Sequence, residues 1–106
     1  MRHITGSELK AYLDSAKRPP FLLDVREPWE YKICHIEGAH LIPMRNIPSS
    51  LQSLDSEQQT IVICHHGIRS RQVAMYLEHQ GFSNIVNLEG GVAGWARDVD
   101  PAMATY

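Results

Sequence analysis

The stretch "QTIVICHHGIRSRQVAMYLEHQG", residues 59–81, contains the two patterns that decide the fold. It begins with a short apolar run rich in β-branched side chains, which is typical of a strand buried on both faces. Further on, Val73, Ala74 and Leu77 recur at helical spacing, and Gly81 marks the end of the helix. The stretch therefore predicts a strand, a loop and a helix, in that order.

The same alternation of strands and helices continues along the rest of the chain. The chain has a short apolar start at Ile4. Apolar spacing and turn residues then predict further helices over 5–16, 27–35, 47–54 and 90–99. They predict further strands over 21–25, 38–44 and 83–89. Such alternation favours right-handed crossovers and an α/β fold with a mostly parallel sheet covered on both sides. In these folds the carboxyl ends of the strands carry the functional site.

Composition limits the function classes. A chain of 106 residues with 43% apolar and 21% charged residues is expected to form one globular domain, with a core over about 4–97 and a tail over 98–106. The net charge of −2 provides no general attraction to nucleic acid or to anionic membranes. The first ten residues lack the apolar segment of a secretory signal, and no apolar run is long enough to span a bilayer. We therefore expect a cytoplasmic protein with no nucleic-acid or membrane partner.

The loop that follows the strand at 59–64 holds the main candidate for catalysis. Cys64 stands directly before a helix start, where free backbone N–H groups stabilise a thiolate or an oxyanion. Gly67 allows the loop to bend with its amides turned inward. Arg69 is suited to a planar, two-pronged contact with a sulfonate, phosphate or carboxylate. The spacing thus points to a nucleophilic cysteine beside an anion site.

Three segments carry a family resemblance. "LLDVREPWEYKICHIEGAHLIPM" (22–44), "IVICHHGIRSRQVAMYL" (61–77) and "VNLEGGVAGWARDVDP" (86–101) resemble, in order and spacing, the single-domain rhodaneses, a family of sulfurtransferases. The resemblance implies a three-layer α/β/α fold with a five-stranded parallel sheet. It also implies that Cys64 takes a sulfane sulfur from thiosulfate or a persulfide donor, holds it as a persulfide and passes it to a thiol or to cyanide. The partners would be a small anionic sulfur donor and a thiol or protein acceptor, with no cofactor and no metal.

The resemblance also implies roles for the residues around Cys64. Asp24 and Arg26, in the "DVRE" segment, would support the loop from a neighbouring strand end, although a plain structural ion pair is an equal alternative for Arg26. His65 and His66 are expected to project outward and to influence the choice of donor or acceptor. The predicted sulfur-binding loop comprises Cys64, His65, His66, Gly67, Ile68 and Arg69.

A phosphatase or an arsenate reductase is the main alternative within the same fold. The related phosphatases use a Cys-x5-Arg loop, which leaves room for a tetrahedral oxyanion. Here only four residues separate Cys64 from Arg69, and Ser70 stands where the phosphatase arginine would be. The loop is therefore expected to hold a sulfur atom but not a phosphate or an arsenate.

Two other classes of function remain as alternatives. The cysteines and histidines could bind a metal, but their spacing matches no compact zinc pattern. A domain that only docks a protein partner is disfavoured by a cysteine at the position of the nucleophile. Cys34 stands where the family commonly has a glycine, and it is interpreted as a small buried residue at a helix end or as a second sulfur acceptor.

Overall fold

All five strands lie in one parallel sheet in a computed structural model that describes residues 1–106. The strands are β1 (Arg2–Ile4), β2 (Phe21–Asp24), β3 (His40–Leu41), β4 (Thr60–Ile63) and β5 (Ile85–Leu88). Their order across the sheet is β1-β5-β4-β2-β3, so β4 occupies the centre between β5 and β2. The five-stranded parallel sheet implied by the resemblance is confirmed.

The helices connect the strands and cover the sheet. They are α1 (Gly6–Ser15), α2 (Pro28–Ile33), α3 (Ile47–Ser50), α4 (Ile68–His79) and α5 (Gly91–Asp98), and short 3-10 turns over Met44–Asn46 and Leu51–Ser53 flank α3. A capping box starts α1: Glu8 N–H donates to the Thr5 hydroxyl, and Thr5 N–H donates to the Glu8 carboxylate. Pro28 stands in the first turn of α2, where a missing N–H costs nothing.

Alternate residues of β4 face opposite layers of the core. Ile61 and Ile63 pack with a cluster that includes Leu9 of α1 and Trp95 of α5. Val62 points the other way, as does Cys64 just beyond the strand, into a cluster built on α4 and on Ile47 of α3. Because successive side chains of a strand point to opposite faces, a fully apolar β4 needs helices on both sides. The three-layer α/β/α fold is thereby confirmed.

Two segments differ from the sequence-based expectation. The strand expected over 38–44 is reduced to His40–Leu41, because Gly38 has a left-handed φ of +86° and Pro43 begins a 3-10 turn. The tail expected over 98–106 begins inside α5, which extends to Asp98, and its residues Val99 and Met103 pack against the core cluster of α1 and α5. None of the helices is long and apolar enough to cross a membrane.

Candidate functional site

The carboxyl ends of β2 and β4 meet at a topological switch point. β2 leads to β3 at one edge of the sheet, whereas β4 leads to β5 on its other side. In parallel α/β sheets such a switch point opens a crevice at the strand ends. Cys64 follows β4 directly. Of the predicted site residues on the neighbouring strand, Asp24 is the last residue of β2 and Arg26 lies two positions beyond it. The two sequence segments singled out for function therefore lie side by side.

Cys64 lies at the bottom of the loop and is buried, with only 1% of the residue exposed. The Gly67 N–H donates to it at 3.0 Å, and its own S–H is directed at the Ser70 hydroxyl at 3.4 Å. Ser70 in turn donates to the Asn87 side-chain oxygen on β5. Gly67 has a φ of +101°, which turns its amide towards the sulfur immediately before α4 begins. The thiol is thus held by the loop and by the first turn of the helix.

The start of α5 holds the loop carbonyls in place. Val92 N–H donates to the Cys64 carbonyl at 2.8 Å, and Ala93 N–H donates to the His65 carbonyl at 3.0 Å. These are N–H groups that a helix N terminus leaves without an intrahelical partner. In a trans peptide the C=O and the following N–H point in opposite directions. The amides of His65 and His66 therefore point away from α5, which leaves them available as donors on the opposite side of the loop.

Arg69 makes its two-pronged contact with a residue that the sequence interpretation missed. Its guanidinium donates to both carboxylate oxygens of Glu30, at 2.7 and 2.8 Å, and Glu30 is only 3% exposed. Glu30 also accepts from the backbone N–H of Glu27 at 2.9 Å, so it helps to start α2. The spacing of Glu27 and Glu30 could have indicated a helix-capping role, but no local signal indicated the contact with Arg69, 39 positions further on.

The carboxylate of Glu30 is held in its charged form. The hydrogen bonds from Arg69, together with those from Glu27 N–H and Tyr106, outweigh burial and lower the pKa of Glu30 to about 2. The same hydrogen bonds raise the pKa of Arg69 above its ordinary value. The pair is therefore fully ionised at every pH at which the protein would function.

The contact between Glu30 and Arg69 predicts a loss of stability in acid. Glu30 has an ordinary pKa of 4.5 when unfolded and about 2 when folded, so its contribution is fully present above pH 4.5. That contribution falls as the pH drops from 4.5 to 2, by about 2 kcal/mol after allowance for the partly exposed Arg69. Urea unfolding at several pH values would measure this loss in the native protein and in Glu30→Gln. The variant should be less stable at neutral pH, and its free energy of unfolding should fall less between pH 4.5 and pH 2. If the free energy of unfolding fell equally with pH in the two proteins, the assignment would be wrong.

Asp24 and Arg26 form a fully buried pair. Arg26 donates from Nε and Nη2 to the Asp24 carboxylate, with the Nη2–Oδ2 contact at 2.7 Å, and both side chains are 0% exposed. Arg26 also donates to the Cys34 carbonyl at 2.7 Å, which ties the end of β2 to the end of α2. Burial opposes the charge of Arg26, but the bonds with Asp24 and Tyr106 outweigh it and raise its pKa. No hydrogen bond joins this pair directly to the loop; the connection runs through Tyr106 and Glu30.

Tyr106 is the second residue that the sequence interpretation missed. Its hydroxyl donates to Glu30 Oε2 at 2.7 Å and accepts from Arg26 Nη1 at 3.0 Å. Its ring stacks on His65 at 4.0 Å between centroids and meets Trp29 edge-on at 5.6 Å. Burial and the bond to Glu30 raise the pKa of Tyr106 to about 12, so the phenol stays neutral. Nothing in the tail sequence distinguishes this residue from a surface tyrosine.

The remaining loop side chains face outward. His65 is half-buried between His66 and Tyr106, with the two imidazole rings stacked at 4.0 Å, and His66 is exposed. Burial and the neighbouring charge of His66 lower the pKa of His65. Ile68 begins α4 with an exposed side chain. None of these side chains hydrogen-bonds to Cys64, so any effect they have on chemistry acts at the rim of the site.

Cys34 lies near the site but outside the loop. It is a free, buried thiol at the end of α2, and its sulfur is 4.0 Å from Arg26 Nη1. It lines a cavity of about 130 Å³ together with His65, Tyr106 and residues of α5. No three His, Cys, Asp or Glu side chains come together closely enough to hold a metal ion.

Comparisons with known proteins identify relatives over nearly the whole chain. A family model described as "Rhodanese-like domain" matches residues 5–98. The chain is 39% identical over 105 residues to the probable adenylyltransferase/sulfurtransferase MoeZ of Mycobacterium tuberculosis; the match covers 97% of this chain and 26% of MoeZ. The chain thus spans about a quarter of the length of that relative.

Shorter relatives match along most of their own length. The thiosulfate sulfurtransferase GlpE of Pseudoalteromonas translucida is 31% identical over 94 residues, which cover 89% of this chain and 88% of GlpE. A crystal structure of a rhodanese-like domain protein from Staphylococcus aureus superposes with a TM-score of 0.84 at 39% identity, covering 90% of this chain and 91% of that one.

Proposed function

Because the chain belongs to the rhodanese-like domain family, we propose that it is a sulfurtransferase that uses Cys64 as its nucleophile. It moves a sulfane sulfur from thiosulfate or a persulfide donor, through a Cys64 persulfide, to a thiol or to cyanide. The observation that carries the proposal is the position of the Cys64 sulfur, which accepts the Gly67 N–H at the start of α4. Two free cysteines suit a reducing compartment such as the cytoplasm.

The proposed reaction has two displacements at one sulfur atom. The Cys64 thiolate attacks the outer sulfur of thiosulfate, forming a new S–S bond as the donor S–S bond breaks and sulfite leaves with the electron pair. An acceptor thiolate or cyanide then attacks the outer sulfur of the persulfide, and Cys64 leaves as a thiolate. The proton of the resting thiol leaves to solvent water before the first step, so that Cys64 attacks as a thiolate.

The loop supports this chemistry by presenting hydrogen-bond donors to sulfur. The Gly67 amide stabilises the thiolate, and in this proposal the His65 and His66 amides, directed away from α5, donate to the transferred sulfur. Arg69, fixed by Glu30, keeps the first turn of α4 in position and contributes positive charge near Cys64. Asp24 and Arg26 support the site from β2 through Tyr106 and Glu30.

The geometry disfavours the phosphatase and arsenate reductase alternative. A phosphatase loop needs an arginine free to grip a tetrahedral oxyanion. Here Arg69 already has its two-pronged contact with the buried Glu30 carboxylate. An anion that displaced Glu30 would leave that carboxylate buried without its cation, which is costly.

Intact-mass measurement after incubation with thiosulfate tests the proposal. We expect an adduct of about 32 Da, one sulfur atom, because the intermediate is covalent. Peptide mapping should place the added sulfur on Cys64, and cyanide should remove it. The absence of the adduct, together with hydrolysis of an aryl phosphate, would support the phosphatase instead. Cys64→Ser is the control in which no adduct should form.

A further inference from the structure

A chain of buried hydrogen bonds joins Cys64 to the neighbouring strand. The Cys64 S–H is directed at the Ser70 hydroxyl at 3.4 Å, and that hydroxyl donates to the Asn87 side-chain oxygen. Ser70 lies in the first turn of α4, and Asn87 lies on β5, which pairs with β4. None of the three residues is more than 3% exposed. Their polar hydrogens are therefore shared among protein groups, without water to replace a missing partner.

The orientation of the Asn87 amide is fixed by its other neighbours. Its Nδ2 lies 3.5 Å from the Gly67 carbonyl oxygen and 3.3 Å from Nδ1 of His3. A carbonyl oxygen can only accept a hydrogen bond, so the NH2 group and not the amide oxygen has to face Gly67. The amide oxygen consequently faces Ser70, where it can only accept.

The single hydrogen of the Ser70 hydroxyl decides what that group can offer to sulfur. A serine hydroxyl donates once and accepts through two lone pairs. Because its hydrogen is used by Asn87, Ser70 presents a lone pair to Cys64, which suits a thiol and opposes a thiolate. Ser70 could donate to a thiolate only by leaving the Asn87 oxygen buried without a partner, which is costly. The Gly67 N–H, in contrast, can donate to either form of the sulfur.

We propose that Asn87 is a positioning residue that keeps Ser70 an acceptor towards Cys64 and thereby favours the resting thiol over the thiolate. Asn87 does not touch the sulfur and acts only through the direction of the Ser70 O–H bond. Its relevance to sulfur transfer rests on the proposed function, since the attacking species there is the thiolate. The balance between thiol and thiolate, however, is a property of the resting protein and can be measured without a sulfur donor.

Charged and titratable groups from several elements also surround the loop. They are His3 on β1, Glu30 on α2, His65 and His66 in the loop, Arg69 on α4 and Glu89 after β5. At the end of β2, the buried Asp24 and Arg26 neutralise each other. Of all these groups, only His3 hydrogen-bonds to Asn87 or Ser70. A test of Asn87 therefore has to separate its effect through Ser70 from an effect through His3.

Titration of the Cys64 thiol tests the proposal, in a Cys34→Ser background that leaves one thiol. The ultraviolet absorbance of the thiolate is followed against pH, and the same titration of the protein that also carries Cys64→Ser is subtracted. Asn87→Leu keeps the size of the side chain but removes the acceptor, so Ser70 becomes free to donate to the thiolate. The midpoint of the titration should fall by about one pH unit, a tenfold change in the ratio of thiolate to thiol. An unchanged or higher midpoint would overturn the proposal.

Ser70→Ala distinguishes positioning through Ser70 from general damage to the loop. Alone, it removes the acceptor of the S–H bond and should also lower the midpoint, and this holds whether or not leucine is tolerated at position 87. In the Ser70→Ala background, Asn87→Leu should produce no further shift, because the group through which it acts is gone. A shift of the same size in both backgrounds would show that Asn87 acts by another route and would refute the proposal.

His3→Ala is the matched control for the other contact of Asn87. His3 is exposed, and its loss leaves the bond between Asn87 and Ser70 in place. The midpoint should therefore stay close to that of the parent. If His3→Ala lowered the midpoint as much as Asn87→Leu, the charge of His3 would account for the effect and the role of Asn87 would be disproved.

The persulfide measurement separates this proposal from the proposed function. If thiosulfate never adds sulfur to Cys64 but Asn87→Leu still lowers the midpoint, the role of Asn87 stands and the proposed function fails. If sulfur is added to Cys64 and the midpoint does not move in Asn87→Leu, the function stands and the role of Asn87 fails.

Discussion

Replacing Cys64 by serine is expected to abolish sulfur transfer from thiosulfate to cyanide, with a loss of at least about a thousandfold. Serine keeps the size of the side chain and its hydrogen bonds to the loop. It cannot form a persulfide, and its hydroxyl does not ionise at neutral pH. The colour reaction of thiocyanate with iron measures the activity, and urea unfolding should show that the variant remains folded.

Cys34→Ser is the matched control, because both cysteines are buried, free thiols. Cys34 lies outside the loop. Arg26 donates to its backbone carbonyl at 2.7 Å, and a serine at this position keeps that carbonyl. Most of the activity should therefore survive. If the Cys34 variant were the inactive one and Cys64→Ser stayed active, the assignment of the nucleophile would be wrong.

The local parts of the site could be predicted from the sequence. β4, the loop and α4 follow one another along the chain, and each has its own signal in hydrophobic spacing and glycine placement. The position of Cys64 at the strand end and the helix start follows from those signals. Its neighbour across the crevice, the "DVRE" segment, could also be predicted, because the carboxyl ends of parallel strands share one edge of the sheet.

The long-range contacts could not be predicted in the same way. Arg69 meets Glu30 across 39 positions, and Tyr106 meets Glu30 across 76, and neither distance leaves a pattern in the local sequence. A two-pronged partner for Arg69 was predicted, but an external anion and an internal carboxylate satisfy the same guanidinium. In the structure Arg69 contacts the internal carboxylate, because α2 places Glu30 beside the first turn of α4.

For the pair formed by Asp24 and Arg26, the sequence could predict the contact but not its burial. Residues two apart in extended chain point to the same side, so their contact could have been predicted from spacing alone. Their complete burial could not, since an isolated surface ion pair has the same sequence. The structure shows why the charge is tolerated: Arg26 has further acceptors in the Cys34 carbonyl and the Tyr106 hydroxyl.

Gly91→Ala is expected to disrupt the loop and with it both stability and activity. Gly91 has a left-handed φ of +58°, and an added Cβ would collide with the carbonyl oxygens of Cys64 and His65. Those carbonyls accept the N–H groups of Val92 and Ala93, so the loop cannot retreat without breaking both bonds. Overpacking against backbone adds to the strain of the φ angle, and we expect a loss of about 3 kcal/mol or more in the free energy of unfolding.

Gly38→Ala separates the two causes of this loss. Gly38 has a comparable φ of +86°, but no atom lies within 4 Å of an added Cβ, so only the backbone strain remains. That variant should lose about 1 kcal/mol and keep its sulfur transfer. The excess loss in Gly91→Ala then measures the contact between the start of α5 and the loop that holds Cys64. If the two variants were equally stable and equally active, that contact would not fix the loop, and the orientation of the His65 and His66 amides would need another cause.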